Sequence, residues 1–236
     1  MSFSSKTEAE EFDSYLRSAR KGLIGAMNEP GRFQSLLEMV EDLRVERVLD
    51  VGCGIGQMLY PFVVFKGAFG VGLDPTPQAC RMGHDFYATH MPSARVRFIY
   101  GKAEMLPFAS GSFDVVNCGL ALPYMDNACA INEIWRVLRP GGILLLKIHH
   151  ARYYLHDFWQ SLISHRLLSM VHAGRVLAVG AIYHLTGRQT DTRLLGNETF
   201  QTRWLLRREL SQCGFNIKRE RPDSNPLTPA FVISKE

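Results

Sequence analysis

The stretch Val48-Leu-Asp-Val-Gly-Cys-Gly-Ile-Gly56 decides the fold. An apolar run with an acid, Asp50, near its end passes into three alternating glycines, Gly52, Gly54 and Gly56. Glycine lets a backbone turn tightly and approach a ligand closely, and a helix after the turn exposes free N–H groups at its start. The spacing is GxGxG, not the dinucleotide pattern GxGxxG. Asp74 closes a second apolar run about twenty residues later, where a carboxylate can accept from both hydroxyls of a ribose. Pro75 comes next, so Asp74 could equally cap a helix.

Outward from this loop the chain repeats the pattern. Short apolar runs stand at Arg47–Val51, Phe69–Asp74, Val96–Tyr100, Phe113–Cys118 and Ile143–Ile148. Helical spacing predicts helices near 56–66, 76–90 and 127–138 between them, hence a parallel sheet covered on both faces. Residues 3–45 read as two helices broken at Asn28-Glu-Pro-Gly31, a helical lid over the first 45 residues. Phe200–Cys213 reads as a helix stopped by Gly214, with Leu205, Leu206 and Leu210 inward. Phe215–Lys218 and Ala230–Ser234 come after it with no helix between them, so they are expected to pair antiparallel at the sheet edge. Residues 150–199 fit neither pattern. Leu155, Phe158, Trp159, Leu162, Ile163 and Leu167 predict a long amphipathic helix, with a second near 175–186, inserted over the sheet's carboxyl edge as a substrate lid. The expectation is one α/β domain over 1–236: a Rossmann-like doubly wound sheet, mostly parallel, with an antiparallel C-terminal strand pair. Its core is 46–148, and 200–236 is the terminal helix and edge strands.

The 236 residues are 46% hydrophobic and 21% charged, ordinary for a soluble domain with a real core. The net charge of +4 is uneven. Residues 136–221 hold 14 Lys/Arg against 5 Asp/Glu, the remainder 13 against 18. Such a basic half suits an anionic acceptor, an anionic membrane surface or nucleic acid, or is a solvated helical surface. Five cysteines without a CxxC pair predict reduced thiols and no metal site. The opening residues lack the apolar core of a secretory signal, and the longest apolar stretch, Val176–Leu185, is half of what a membrane span needs, so the expected location is cytoplasmic.

Three further stretches give the glycine loop its meaning: Gly101-Lys-Ala-Glu-Met-Leu-Pro-Phe108, Gly111-Ser-Phe-Asp114 and Asn132-Glu-Ile-Trp-Arg-Val-Leu-Arg-Pro-Gly-Gly142. In order and spacing over about 46–148, the chain resembles class I S-adenosylmethionine-dependent methyltransferases, in particular the ubiquinone/menaquinone methyltransferase group. The resemblance implies that S-adenosylmethionine is the cofactor and that Asp50, Gly52, Gly54 and Gly56 lie at its methionine end. Asp74 would then hold the ribose and Lys102, Ala103 and Glu104 would lie beside the adenine, with Pro75, Gly119 and Leu120 as further cofactor-binding candidates. The family usually has Asp or Asn where Lys102 stands. Lysine only donates, so it cannot accept from the adenine amine. Adenine would rest on the Ala103 backbone, or Glu104 would take the polar role, with Lys102 in solvent.

Ligands of open α/β sheets sit outside the carboxyl ends of the strands. Those positions offer Tyr124 after the fourth strand, where Pro123 replaces a histidine common in relatives, and His149, His150, Tyr153 and Tyr154 after the fifth. His149 or His150 is the candidate general base, since imidazole takes a proton near neutral pH; the pair could also merely cap the sheet. Tyr15 is a candidate lid residue over the cofactor. The function expected is O-methylation of a phenolic, polyketide, quinone or sugar-type small molecule. The alternatives are a nucleic-acid methyltransferase, for which no N/D-P-P-Y-like motif stands after strand four, and a cofactor-binding regulator without catalysis. Nucleic acid is not an expected partner; for 150–199, peripheral membrane contact is the rival to the substrate lid, and permanent packing on the sheet as core is the third reading.

Overall fold

The five apolar runs are strands: β1 (Arg47–Val51), β2 (Phe69–Asp74), β3 (Val96–Tyr100), β4 (Phe113–Gly119) and β5 (Leu138–Lys147). β6 (Phe215–Glu220) and β7 (Ala230–Lys235) complete one sheet in the order β3-β2-β1-β4-β5-β7-β6. These observations come from a computed structural model that describes residues 6–190, 196–221 and 225–236. The first five strands pair in parallel, while β7 runs antiparallel to both β5 and β6. Consecutive residues serve opposite faces. Leu49 and Val116 join one buried layer, Val48 and Val115 the other, so the strands read as unbroken apolar runs rather than alternating ones.

The helices are α1 (Lys6–Asn28), α2 (Gln34–Glu38), α3 (Tyr60–Phe65), α4 (Pro77–His90), α5 (Asn127–Val137), α6 (Ala151–Ile163), α7 (Leu167–Thr186) and α8 (Arg203–Gln212). Leu16 and Leu23 of α1, Phe62 of α3 and Phe86 of α4 cover one face; Ile131 and Ile134 of α5 and Leu206 and Leu210 of α8 cover the other.

Several boundaries differ from those the sequence predicts. The helix expected from 56 begins only at Tyr60. Gly52, Gly54 and Gly56 all have positive φ, turns such as the Gly56 N–H bond to the Cys53 carbonyl occupy the chain up to Leu59, and Pro61 sets the helical start. The second N-terminal helix ends at Glu38, because i→i+3 bonds from Met39, Val40 and Leu43 wind the next residues more tightly than an α-helix. Residues 3–5 of the N-terminal segment lie outside the described residues. β5 starts at Leu138, paired with Phe113 across a bulge, five residues earlier than expected. Thr76, not Asp74, caps α4, and Pro77 rather than Pro75 takes its first turn.

The insertion differs most. α6 stops at Ile163, and α7 begins at Leu167 instead of 175. The ten apolar residues Val176–Leu185 thus belong to a 20-residue helix, long and apolar enough to cross a membrane by length and composition. α6 and α7 pack on each other, and Tyr154, Val176 and Phe200 form a small core at their root. The apolar face expected on α6 is not covered, for Leu155, Trp159, Leu162 and Ile163 are exposed.

Candidate active site

The strand order reverses between β1 and β4, which opens a crevice at their carboxyl ends. Asp50 and Asn117 are register partners there, and the Asn117 amide donates to Asp50 Oδ1 at 2.6 Å. Burial, against the lowering effect of the Asn117 bond and together with the nearby Asp74 charge, pushes the Asp50 carboxyl up to about 7. The Gly54 N–H donates to Asp74 Oδ2 and the Thr76 N–H to Asp74 Oδ1, each at 2.9 Å. Asp74 therefore ties the glycine loop to the neighbouring strand.

At Gly52 (φ +70°) a Cβ would stand 2.3 Å from the Ala121 Cβ; at Gly54 (φ +54°) it would meet the Tyr15 hydroxyl at 3.2 Å. Tyr15 of α1 thus lies directly over the loop. Burial, then the charges of Asp74 and Asp50, raise its phenol. After β4, Leu120 adopts the left-handed conformation (φ 63°), rare without glycine, while its N–H donates to the Lys147 carbonyl at 2.8 Å.

An aromatic wall continues from there. Buried His149, just past β5, stacks on Tyr153 with ring centroids 4.5 Å apart and meets Tyr154 and Tyr124 edge-on at 5.8 and 6.5 Å. Its Nδ1 is buried and has no hydrogen-bond partner among the described residues. Burial pushes the imidazole down to about 4, so it is neutral near pH 7. The Tyr154 hydroxyl donates to buried Glu198, which also receives Arg175 at 3.3 Å. Burial, then Glu198, Tyr153 and Tyr15, raise the Tyr124 phenol. On the other side of Tyr15 a cavity of about 460 Å³ opens between α1, α2 and the end of β5, lined among others by Phe33, Leu36, Met58, Lys147 and Arg221.

Residues 49–146 match the methyltransferase domain family. Over these residues the chain carries a methyltransferase domain of the class I, S-adenosylmethionine-dependent kind. An O-methyltransferase of Aspergillus nomiae is 31% identical over 110 residues, 46% of this chain and 49% of that protein. The demethylmenaquinone methyltransferase of Chlorobaculum parvum is 33% identical over 106 residues, 44% and 42% of the two chains. The chain spans about half the length of the curated relatives it matches. An S-adenosylmethionine-dependent methyltransferase structure from Methanosarcina mazei shares the fold at TM-score 0.56 and 21% identity, covering 80% of this chain and 92% of that one.

The residues of this methyltransferase domain fit its cofactor. Glycines leave the loop without side chains where a ligand approaches, and the Asp74 carboxylate, which accepts from the Gly54 and Thr76 N–H groups and from the Thr76 side chain, retains acceptor capacity. Ala103 is buried and Lys102 is exposed. Glu104 Oε1 accepts from the Asp126 N–H at 2.9 Å. The two histidines differ in surroundings, His150 standing at the N-cap of α6. Its Nδ1 accepts from the Arg152 N–H, which leaves His149 as the one facing the aromatic wall.

The motif residues also show what they do. Arg136 donates to the Phe108 and Leu106 carbonyls and Glu133 accepts from the Leu106 N–H, which clamps the 102–108 loop onto α5. Asp114 accepts from the Glu46 and Arg47 N–H groups and fixes the start of β1. Sequence reasoning misses Asn117, Glu198, Lys147 and Arg221. Only Asn117 leaves a signal there, as a polar residue inside an apolar strand.

Proposed function

We propose that the protein transfers a methyl group from S-adenosylmethionine to the oxygen of a small acceptor with an apolar body, of the phenol, quinol, polyketide or sugar class. One observation carries this reading: His149, neutral near pH 7, keeps an Nδ1 with no partner among the described residues, buried among Tyr124, Tyr153 and Tyr154 at the carboxyl end of β5. Bound S-adenosylmethionine supplies an electrophilic sulfonium methyl. The chain's own residues then have two tasks. The tyrosine rings hold a flat acceptor in line with the methyl, and alignment can supply most of the acceleration. Nδ1 accepts a hydrogen bond from the acceptor hydroxyl, and the Glu198 carboxylate favours the imidazolium if the proton is taken.

The experiment is transfer of tritiated methyl to a panel of catechols, hydroquinones, polyketide phenols, sugars and RNA. Label should enter a phenolic or related hydroxyl, and His149→Ala should lower kcat by roughly 10²–10⁴ with cofactor affinity unchanged. Label in RNA, or cofactor binding with no transfer to any acceptor, would replace this reading with a nucleic-acid enzyme or a regulator.

A further inference from the structure

We propose that the turn joining α6 to α7 is a docking element that inserts into an anionic lipid surface. Five large apolar side chains flank that turn and are open to solvent: Trp159 at 58%, Ile163 at 72%, Leu167 at 68%, Leu168 at 86% and Val171 at 64%. Exposed apolar residues scattered singly need no explanation, but these sit within two helical turns of Ser164–Arg166, at the end of the hairpin away from the aromatic wall. Trp159 is the residue type that favours the boundary between hydrocarbon and headgroups.

The charge around the tip selects the partner. Residues 151–186 contain Arg152, Arg166 and Arg175 and four histidines against the single acid Asp157. Arg175 is turned inward to Glu198, whereas His165 and Arg166 stand exposed in the turn itself. Apolar side chains for the acyl region beside cations for anionic headgroups are the combination that holds an interfacial segment on a bilayer. A second copy of the chain fits less well, because a self-complementary contact through this tip would bring the two Arg166 side chains together. Nor does α7 leave the domain. Ala173, Val176, Val179 and Tyr183 are buried against it, and Tyr183 bonds to Glu209.

The placement has a use. α6 is 13 residues long, about 20 Å at 1.5 Å per residue, and its first turn carries Tyr153 and Tyr154 of the aromatic wall. Docking the tip would hold the acceptor wall one helix length from the bilayer, within reach of an acceptor that partitions into lipid. The docking itself stands whichever acceptor is methylated.

The test is co-sedimentation of the whole protein with sucrose-loaded vesicles of phosphatidylcholine, with and without phosphatidylglycerol, at low and high salt. The protein should pellet with the mixed vesicles at low salt, with tryptophan emission shifted to the blue. The double variant Ile163→Glu, Leu168→Glu should lower partitioning at least about tenfold. Its circular dichroism and melting should match the parent, since both side chains are exposed. Equal partitioning of parent and variant, no binding by the parent, or equal binding to phosphatidylcholine alone would overturn the assignment. So would a dimer in vesicle-free buffer that the double variant splits, which would give the tip to a second copy.

Discussion

The Tyr154 hydroxyl donates to Glu198 Oε1 at 3.1 Å across 44 residues of sequence, and both side chains are buried. The bond pins the root of α6 to the segment before α8. Arg175 and His172 approach the same carboxylate from α7, at 3.3 and 3.4 Å. One acid thus organises the wall on which His149 rests.

Replacing that acid should loosen the wall. Glu198→Ala leaves the Tyr154 hydroxyl buried without its acceptor, at a cost of about 1–3 kcal/mol. Urea denaturation should show the loss. In a double-mutant cycle Tyr154→Phe should cost much less in the Glu198→Ala background than in the parent. Additive losses would mean the two residues act separately.

The glycines should separate by what stands opposite them. Gly52→Ala puts a methyl 2.3 Å from the Ala121 Cβ at positive φ, so it should destabilise the fold by more than the ~1–2 kcal/mol of left-handed strain alone. Gly54→Ala carries the same left-handed strain at φ +54°, but its methyl meets only the ends of the Tyr15 and Gln57 side chains, which can swing away. That variant should lose about 1–2 kcal/mol, less than Gly52→Ala. Gly54→Val should stay folded but lose binding of S-adenosylhomocysteine in calorimetric titration.

With Asp74 as the proposed ribose acceptor, Asp74→Ala should lower affinity for S-adenosylhomocysteine at least about tenfold, the loss of one charge-assisted hydrogen bond of roughly 1.5–3 kcal/mol. The carboxylate also holds the Gly54 N–H, so loop order should fall with it. Hydrogen exchange at residues 52–56 separates the two effects: Asp74→Asn should keep more of the loop protection than of the affinity.

The pH dependence of stability has a defined sign. Burial lifts Glu209 to about 8 in the folded chain, above its unfolded value near 4.5. The folded state then holds the proton more tightly, so this contribution is present at low pH and is lost as pH rises through about 8. Asp50 acts in the same sense up to about 7, while His149, pushed down to about 4, acts oppositely and only below pH 6.5. Between pH 7 and 9 the parent's melting temperature should fall. Glu209→Gln should remove most of that fall, where ~1 kcal/mol corresponds to roughly 2–4 °C.

The sheet was legible because each strand is a short apolar run ended by glycine or an acid, and β6 and β7 because no helix separates them. The glycine loop and Asp74 were legible because their geometry is local. Glu198 was not, since its partners lie 23 to 44 residues away and nothing in a loop such as Asn197-Glu-Thr reveals them. The start of α7 was hidden because Leu167–Thr186 is apolar nearly all round, leaving no periodic face to mark its first turn. α3 was misjudged because three glycines at positive φ postpone a helix that composition alone would begin at once.

β6 reaches the rest of the sheet only through β7, which comes after it in the chain. During synthesis β6 therefore emerges with no neighbour to pair with, and the far side of β5 stays open until residues 230–235 arrive. The same arrival delivers the Leu227 and Pro229 carbonyls that receive the His150 and Ile148 N–H groups on either side of His149. A nascent chain halted before that point would already hold β1 to β4 and the glycine loop, yet its imidazole would still lack a fixed seat. Ribosome-bound chains of increasing length should accordingly gain affinity for the nucleoside end of the cofactor before they gain any transferase activity.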